Sequence, residues 1–511
     1  MPALSSLHPS AAPSRGLLRA ILDTYPTSLN KASHLRSWLL VLATLYVLKH
    51  FKKMIQSAFF HPLSHIPGNK LFASTYFFTS AATYSGRSHY SLPFAHQRYG
   101  KVVRVAPDMV SVADKDMIKE ILVSTDYPKS IIHEGLELNG QQNLFTSRNK
   151  DFHKNRRRLV APAFGLQYLR SLEPIMHECI SVLLQKIDEV LDDPKSVKKG
   201  TKVLAPGHIN VYSFMMRLSL DIIGETAFGQ SFDMVQDDSH PLPSKLAKTL
   251  KRSMQQTMNP WMKRIFPLDW SFIEFGAERV KVRKEGGEQK RRADLLQYLI
   301  DAQAQERENG NGETGDEHKD MIAGKLTDKA VATEASVFLI AGSETSSTAL
   351  TFTLMYLVKN PDKLVKLQEE LYLATARLPR EINEDVTMKG WFFPKGTIVL
   401  AQLPALHWSN EYFPEANRFI PERWIPEESP FPPVQDFTFY PFSAGTRNCV
   451  GKNFAMMEMR LILATLVLTY EMERVPWQRT DYVQFITTAL ATESYVIKMK
   501  RRHGCNASAA V

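Results

Sequence analysis

The stretch FSAGTRNCVG, residues 442–451, sets one of only three cysteines between two glycines. The other two, Cys179 and Cys505, are remote in sequence, so neither a C-x-x-C metal knuckle nor a disulfide framework can be built. Cys449 is followed by KNFAMMEMRLILATLVLTYEM, a helical pattern. A thiol near a helix N-terminus is stabilised as the thiolate. Gly445 and Gly451 remove side chains on both sides, as close approach of a flat ligand requires. Arg447 offers a fixed cation suited to a carboxylate, and Phe442 can roof the sulfur against water. A lone cysteine is more often a small buried apolar residue, but these neighbours argue against that here.

A long helix precedes this loop. From Thr327, a candidate N-cap, the chain runs without proline to Lys359 and stops at Asn360-Pro361. Its middle, AGSETSSTAL (341–350), puts Gly342, five hydroxyl side chains and Glu344 into an otherwise apolar helix. Such hydroxyls can bond back to helix carbonyls. A bend filled by Ser and Thr is one reading; the adjacent acid and alcohol Glu344-Thr345 suggest another, a proton relay into a buried site. KVVRVAPDMVSVAD (101–114) alternates around Pro-Asp as a hairpin, and most of 115–300 is apolar at helical spacing. Residues 305–320 are polar and Gly-rich and read as a surface loop. The expected fold is mainly α with small β-sheets (α+β), one large domain over 61–511 behind a tail of 1–60.

The net charge of +10 is unevenly spread: residues 1–53 hold seven Lys/Arg against Asp23 alone, a local +6 that leaves +4 for the rest. A basic nucleic-acid groove is thereby disfavoured, and no nucleic-acid partner is expected. The tail contains SWLLVLATLYVL (37–48) followed by Lys49, Lys52 and Lys53. As a helix, that run spans about 18 Å, short of a ~30 Å hydrocarbon core. Its position before every globular motif and its basic flank nevertheless predict a membrane anchor, with the flank on the cytosolic side. HPLSHIPG (61–68) reads as a stiff hinge after it.

Together the features around Cys449 suit a thiolate ligand to haem iron, where electron donation from sulfur favours O–O cleavage. FSAGTRNCVG also resembles the F-x-x-G-x-R-x-C-x-G signature of the cytochrome P-450 superfamily at every fixed position. AGSETS resembles that family's oxygen-activating helix motif, FIPERW (419–424) its F-x-P-x-R-W segment, and GWFFPKGTIV (390–399) the strand pair before it. HKNRRRLVAPAF (153–164) is similar to a stretch that would direct His153 and Arg157 to the haem propionates, and LPR (378–380) to one that does the same with Arg380. The resemblance covers about 61–502, and the hinge and His153 resemble filamentous-fungal members, many of which modify secondary metabolites.

The resemblance implies haem b (iron protoporphyrin IX), with Cys449 as iron ligand and Gly342, Phe442, Gly445, Arg447 and Gly451 beside the cofactor. It implies that Glu344 and Thr345 deliver protons during activation of O2, a co-substrate. A hydrophobic small molecule would be the substrate. NADPH would supply electrons through a separate cytochrome P-450 reductase, docking where Lys452 and Arg447 are positive. The endoplasmic reticulum membrane would be the location, the catalytic domain cytosolic. A haem-thiolate isomerase or dehydratase is an alternative that Glu344-Thr345 disfavours.

One family feature is missing. The Glu-x-x-Arg pair expected between the long helix and the PKG strand is absent; Glu288-x-x-Arg291 and Glu471-x-x-Arg474 have the spacing but lie on the wrong sides. The nineteen residues between Asn360 and Arg380 make at most one helix, roughly 29 Å long. Either a coding segment around 370–380 has been lost from the sequence, the preferred reading, or the chain is an inactive relative.

Overall fold

The computed structural model describes residues 29–138, 140–193, 205–237, 241–258, 262, 265, 271–310, 314–316, 319–320, 323–364 and 378–502. The chain divides after His61 into two units. The first carries helix α1, Leu29–Phe60. Trp38, Leu42 and Tyr46 on it are exposed. The helix is long enough to span a bilayer, but Arg36 at one end and Lys49, Lys52 and Lys53 at the other confine its uncharged run to 37–48. Among the described residues no helix is long and apolar enough to cross a membrane. The expected membrane anchor is therefore corrected in that a transmembrane helix is not supported: the helix owes its length to charged turns as well as apolar ones.

The second unit is mainly helical with small sheets, as expected. Its principal helices are α2 (Lys150–Val160), α3 (Leu166–Asp192), α4 (Val211–Phe228), α5 (Ser271–Glu285), α6 (Leu295–Glu308), α7 (Asp328–Lys359) and α8 (Lys452–Thr469). α7 packs most extensively on α4 and next on α5, and α3, α6 and α8 complete the surrounding layer. Leu183, Ile187, Leu218, Ile222, Leu339, Leu350, Ile462 and Leu466 lie in the one large apolar core they share.

Helix α7 starts as its sequence requires. The Thr327 side chain accepts the Ala330 N–H at 3.1 Å, with Asp328 in the first turn and Lys359 in the last complementing the dipole. Its hydroxyls do bond back: Ser343 to the Leu339 carbonyl at 2.8 Å, Thr345 to Ala341 at 2.7 Å and Thr351 to Ser347 at 2.8 Å. The helix stays continuous through them.

The 101–114 hairpin forms as β1 (Val102–Ala106) and β2 (Met109–Val112), with Val102 opposite Val112. β2 pairs in parallel with β7 (Ile398–Ala401), which pairs antiparallel with β4 (Leu378–Glu381), giving the order β1-β2-β7-β4. GWFFPKGTIV does not form a strand pair of its own. Its first half is β6 (Trp391–Phe393), paired with β5 (Val386–Met388), and its second half is β7 in the larger sheet. Pro394 and the left-handed Gly396, φ +85°, turn the chain between them. Strands β3 (His208–Asn210), β8 (Tyr470–Arg474) and β11 (Val496–Arg501) make a third sheet, and β9 (Tyr482–Gln484) pairs with β10 (Thr488–Leu490). Of the polar loop and the shortened region, 311–313, 317–318 and 365–377 lie outside the described residues, and so does most of the stretch where the Glu-x-x-Arg pair was sought.

Candidate active site

The Cys449 loop is closed on itself. The Cys449 N–H donates to the Phe442 carbonyl at 2.9 Å, Gly445–Arg447 form a single 3₁₀ turn, and α8 begins immediately after Gly451. Gly445 has φ +74°, and a Cβ there would stand 1.9 Å from the Leu122 carbonyl oxygen. The backbone of the π-helical turn Glu120–Ser124 thus demands this glycine. Gly451 differs: a Cβ there would lie 4.0 Å from the Cys449 sulfur, in ordinary contact.

The Cys449 side chain is exposed, whereas Cys179 is buried. Protein nonetheless packs around Cys449 closely enough that desolvation pushes its thiol up, against a Gly451 backbone hydrogen bond and the Arg157 charge, which pull it down. Arg157 itself donates to the Asn448 carbonyl at 2.7 Å and to the Asn448 side-chain oxygen. It braces the residue next to the cysteine.

Around this loop lies a group of buried cations. Arg447 donates to the Ser147 carbonyl at 2.7 Å and the Arg148 carbonyl at 3.2 Å, both inward, so it is not on the surface where a reductase would meet it; Lys452 is exposed. Arg380, on β4, is buried, and among the described residues its guanidinium makes one weak bond, to the carbonyl of its own neighbour Pro379 at 3.4 Å. The Nε atoms of Arg380 and Arg447 have no hydrogen-bond partner among the described residues. His153, on α2, is buried and pushed down to about 3 by desolvation and then by Arg447, Lys129, Arg157 and Arg380. Burial lowers Arg380 to about 10, with Arg447 adding to it and Asp126 opposing.

Sequence reasoning missed two members of this group. Lys129 is buried, bridges to Arg380 in backbone pairing, and donates to the Phe145 carbonyl and to that of Leu144 at 3.4 Å. Desolvation, then Arg380, Arg447 and Arg157, hold it well below the usual lysine range. His133 is buried beside it and depressed for the same reasons. Nothing in YPKSIIHEG marks either residue; the usable signal is a lysine in a short apolar segment, where a buried lysine is rare. The conspicuous RRR run also misleads. Arg156, next to the expected Arg157, makes a buried ion pair with Glu334 at 3.0 Å and donates to the Lys325 carbonyl at 2.7 Å.

On α7, Ala341 and Thr345 are the exposed residues within 331–355, and being four apart they share a face. Gly342 does not share it: a Cβ there would meet Ile223 of α4 at 3.0 Å. That side of Gly342 serves close packing of α7 on α4. Glu344 is buried, bonded to Thr487 in the turn between β9 and β10, and pushed up by desolvation.

The site and the fold match a known family. The cytochrome P-450 family model matches residues 72–375 and 371–499. The chain belongs to the cytochrome P-450 family. It is 32% identical over 510 residues to cytochrome P-450 monooxygenase acrD of Aspergillus aculeatus, covering 91% of this chain and 96% of the relative. It is 32% identical to cytochrome P-450 monooxygenase LUC2 of a Fusarium species, covering 87% and 90%. To cytochrome P-450 monooxygenase mpsF of Macrophomina phaseolina it is again 32% identical, covering 77% of this chain and all of the relative. Membership makes the chain an oxidoreductase of the monooxygenase class, and haem and O2 follow from the family. The two matched stretches share residues 371–375.

Proposed function

We propose that this cytochrome P-450 hydroxylates or otherwise oxygenates a hydrophobic small molecule of fungal secondary metabolism, with NADPH electrons arriving through a separate reductase. The observation that carries the reading is the group of buried cations beside the Cys449 loop. Lys129, Arg380 and Arg447 are buried together, and among the described residues the only acid acting on both arginines is Asp126. Burying charge without a counter-charge costs several kcal/mol per ion, roughly. A dianionic cofactor such as haem, with two propionates, supplies the missing charge, and the orphaned Nε atoms of Arg380 and Arg447 supply donors.

Haem, when bound, supplies the binding and reductive activation of O2. Cys449 is assigned as its thiolate ligand, with Gly451 N–H and Arg157 favouring the charged sulfur. Arg157 acts by bracing Asn448, and Lys129, His153, Arg380 and Arg447 take the propionate end. Phe442 screens the sulfur side. Thr345 presents its hydroxyl on the open face of α7, and Glu344, held neutral more easily by burial, is the proton source behind it. Lys452 is assigned to the reductase surface. The exposed apolar side chains of α1 and its three lysines support attachment to the cytosolic face of the endoplasmic reticulum membrane without spanning it.

The overlap of the two family matches at 371–375 supports loss of an internal coding segment there. Sequencing the transcript tests this: a segment encoding Glu-x-x-Arg between codons 370 and 380 is expected. The activity is tested by NADPH and O2 consumption with a reductase present. Rearrangement of a hydroperoxide without NADPH consumption would favour the isomerase reading instead.

A further inference from the structure

Glu344 and Thr345 are neighbours in sequence but point to different sides of α7, because adjacent helical residues are about 100° apart. Thr345 is exposed and satisfies its hydroxyl on the Ala341 carbonyl at 2.7 Å. Glu344 is 8% exposed, and its Oε2 accepts a hydrogen bond from the Thr487 hydroxyl. Thr487 sits in the three-residue turn of the β9–β10 hairpin, which is pinned at both ends. Its own carbonyl accepts the Phe485 N–H at 3.0 Å, and the Gln484 N–H donates to the Gly86 carbonyl at 2.9 Å. The other titratable groups acting across Glu344 are Tyr212 of α4 and Glu493, just beyond β10.

We propose that Thr487 is a positioning residue for the Glu344 carboxyl, anchoring it on the β9–β10 side of α7 and setting its proton affinity. The proposal rests on the assignment of Glu344 and Thr345 to proton delivery. A hydroxyl that donates to a carboxylate stabilises the charged form, so Thr487 opposes the burial that favours the neutral acid. The proton on Glu344 is therefore released to the Thr345 side at lower pH than it would be from an unanchored acid. No bond other than O–H is made or broken, and Thr487 keeps its own proton.

The test is a pH titration of the Glu344 carboxyl stretch by infrared difference spectroscopy on the full chain, with Glu344→Gln identifying the band. Thr487→Val, close in shape but lacking the donor, is expected to move the titration up by about one pH unit, and Thr487→Ser to restore it. In turnover, Thr487→Val is expected to displace the pH profile of peroxide released per product in the same direction, and to have no effect in a Glu344→Gln background. An unmoved carboxyl titration in Thr487→Val, or a Ser variant that behaves like Val, overturns the proposal. If Glu344→Gln leaves peroxide release unchanged, the proton-delivery assignment falls, while the infrared titration still judges Thr487. Should Thr487→Val fail to fold, Thr487→Ala and Thr487→Ser compared in the same titration decide it.

Discussion

Arg157 of α2 holds Asn448, the residue before Cys449, by its carbonyl and its side chain at once. This links the helix that carries His153 to the loop that carries the thiol. It also places a cation where it favours the thiolate. Arg157→Leu is expected to push the Cys449 thiol up by about half a pH unit, and Arg157→Lys by less. The pH dependence of Cys449 alkylation, followed in a Cys505→Ala background with Cys179 buried, checks this.

Gly445 has no room for a side chain. Its φ of +74° and the 1.9 Å approach to the Leu122 carbonyl mean that alanine strains the backbone and displaces the π-helical turn. The conformation alone costs about 1–3 kcal/mol, and the clash adds to it. Gly390→Ala is the control, since Gly390 has φ +80° but nothing within 4 Å. Thermal unfolding is expected to show a clearly larger loss for Gly445→Ala, with haem retention falling only there.

Lys129→Met separates the two roles of the buried cations. Without cofactor, removal of a buried ammonium that has no ion-pair partner among the described residues is expected to raise the unfolding temperature. With cofactor, loss of a propionate partner is expected to weaken haem retention. Opposite signs in the two forms, read by thermal unfolding and by haem transfer to an acceptor protein, are the expected outcome.

Glu458, on α8, is buried and raised from 4.5 to about 7 by desolvation, with the Ser346 and Ser219 hydroxyls pulling the other way, although neither carboxylate oxygen has a hydrogen-bond partner among the described residues. Between those values the folded chain keeps a proton that the unfolded chain has lost. Stability is therefore full below about pH 4.5 and falls as pH rises through about 7, by up to about 3 kcal/mol. Glu458→Gln is expected to flatten that part of the profile of urea midpoint against pH.

What could be read in advance follows from how local each signal is. The Thr327 cap, the stop at Asn360-Pro361 and the start of α8 after Gly451 are set by neighbours a few residues away, and they stand as expected. The demand on Gly445 comes from Leu122, far off in the chain, so the glycine was readable but its cause was not. Adjacency of Glu344 and Thr345 in sequence concealed their facing different sides of α7 and the contact of Glu344 with Thr487. Lys129 was hidden because burial of its ammonium depends on tertiary packing alone. At 37–48 the charged residues Arg36 and Lys49 end the apolar run on both sides, so its shortness was legible in the sequence and agrees with the lack of a spanning helix among the described residues.

The assignment of Cys449 as the haem ligand is tested most directly by the absorption spectrum of the reduced, carbon-monoxide-bound chain beside its Cys449→Ala variant. The account predicts a thiolate-type Soret band in the first and its loss in the second. Haem bound with a band of the non-thiolate type, or a thiolate-type band that survives Cys449→Ala, would contradict it.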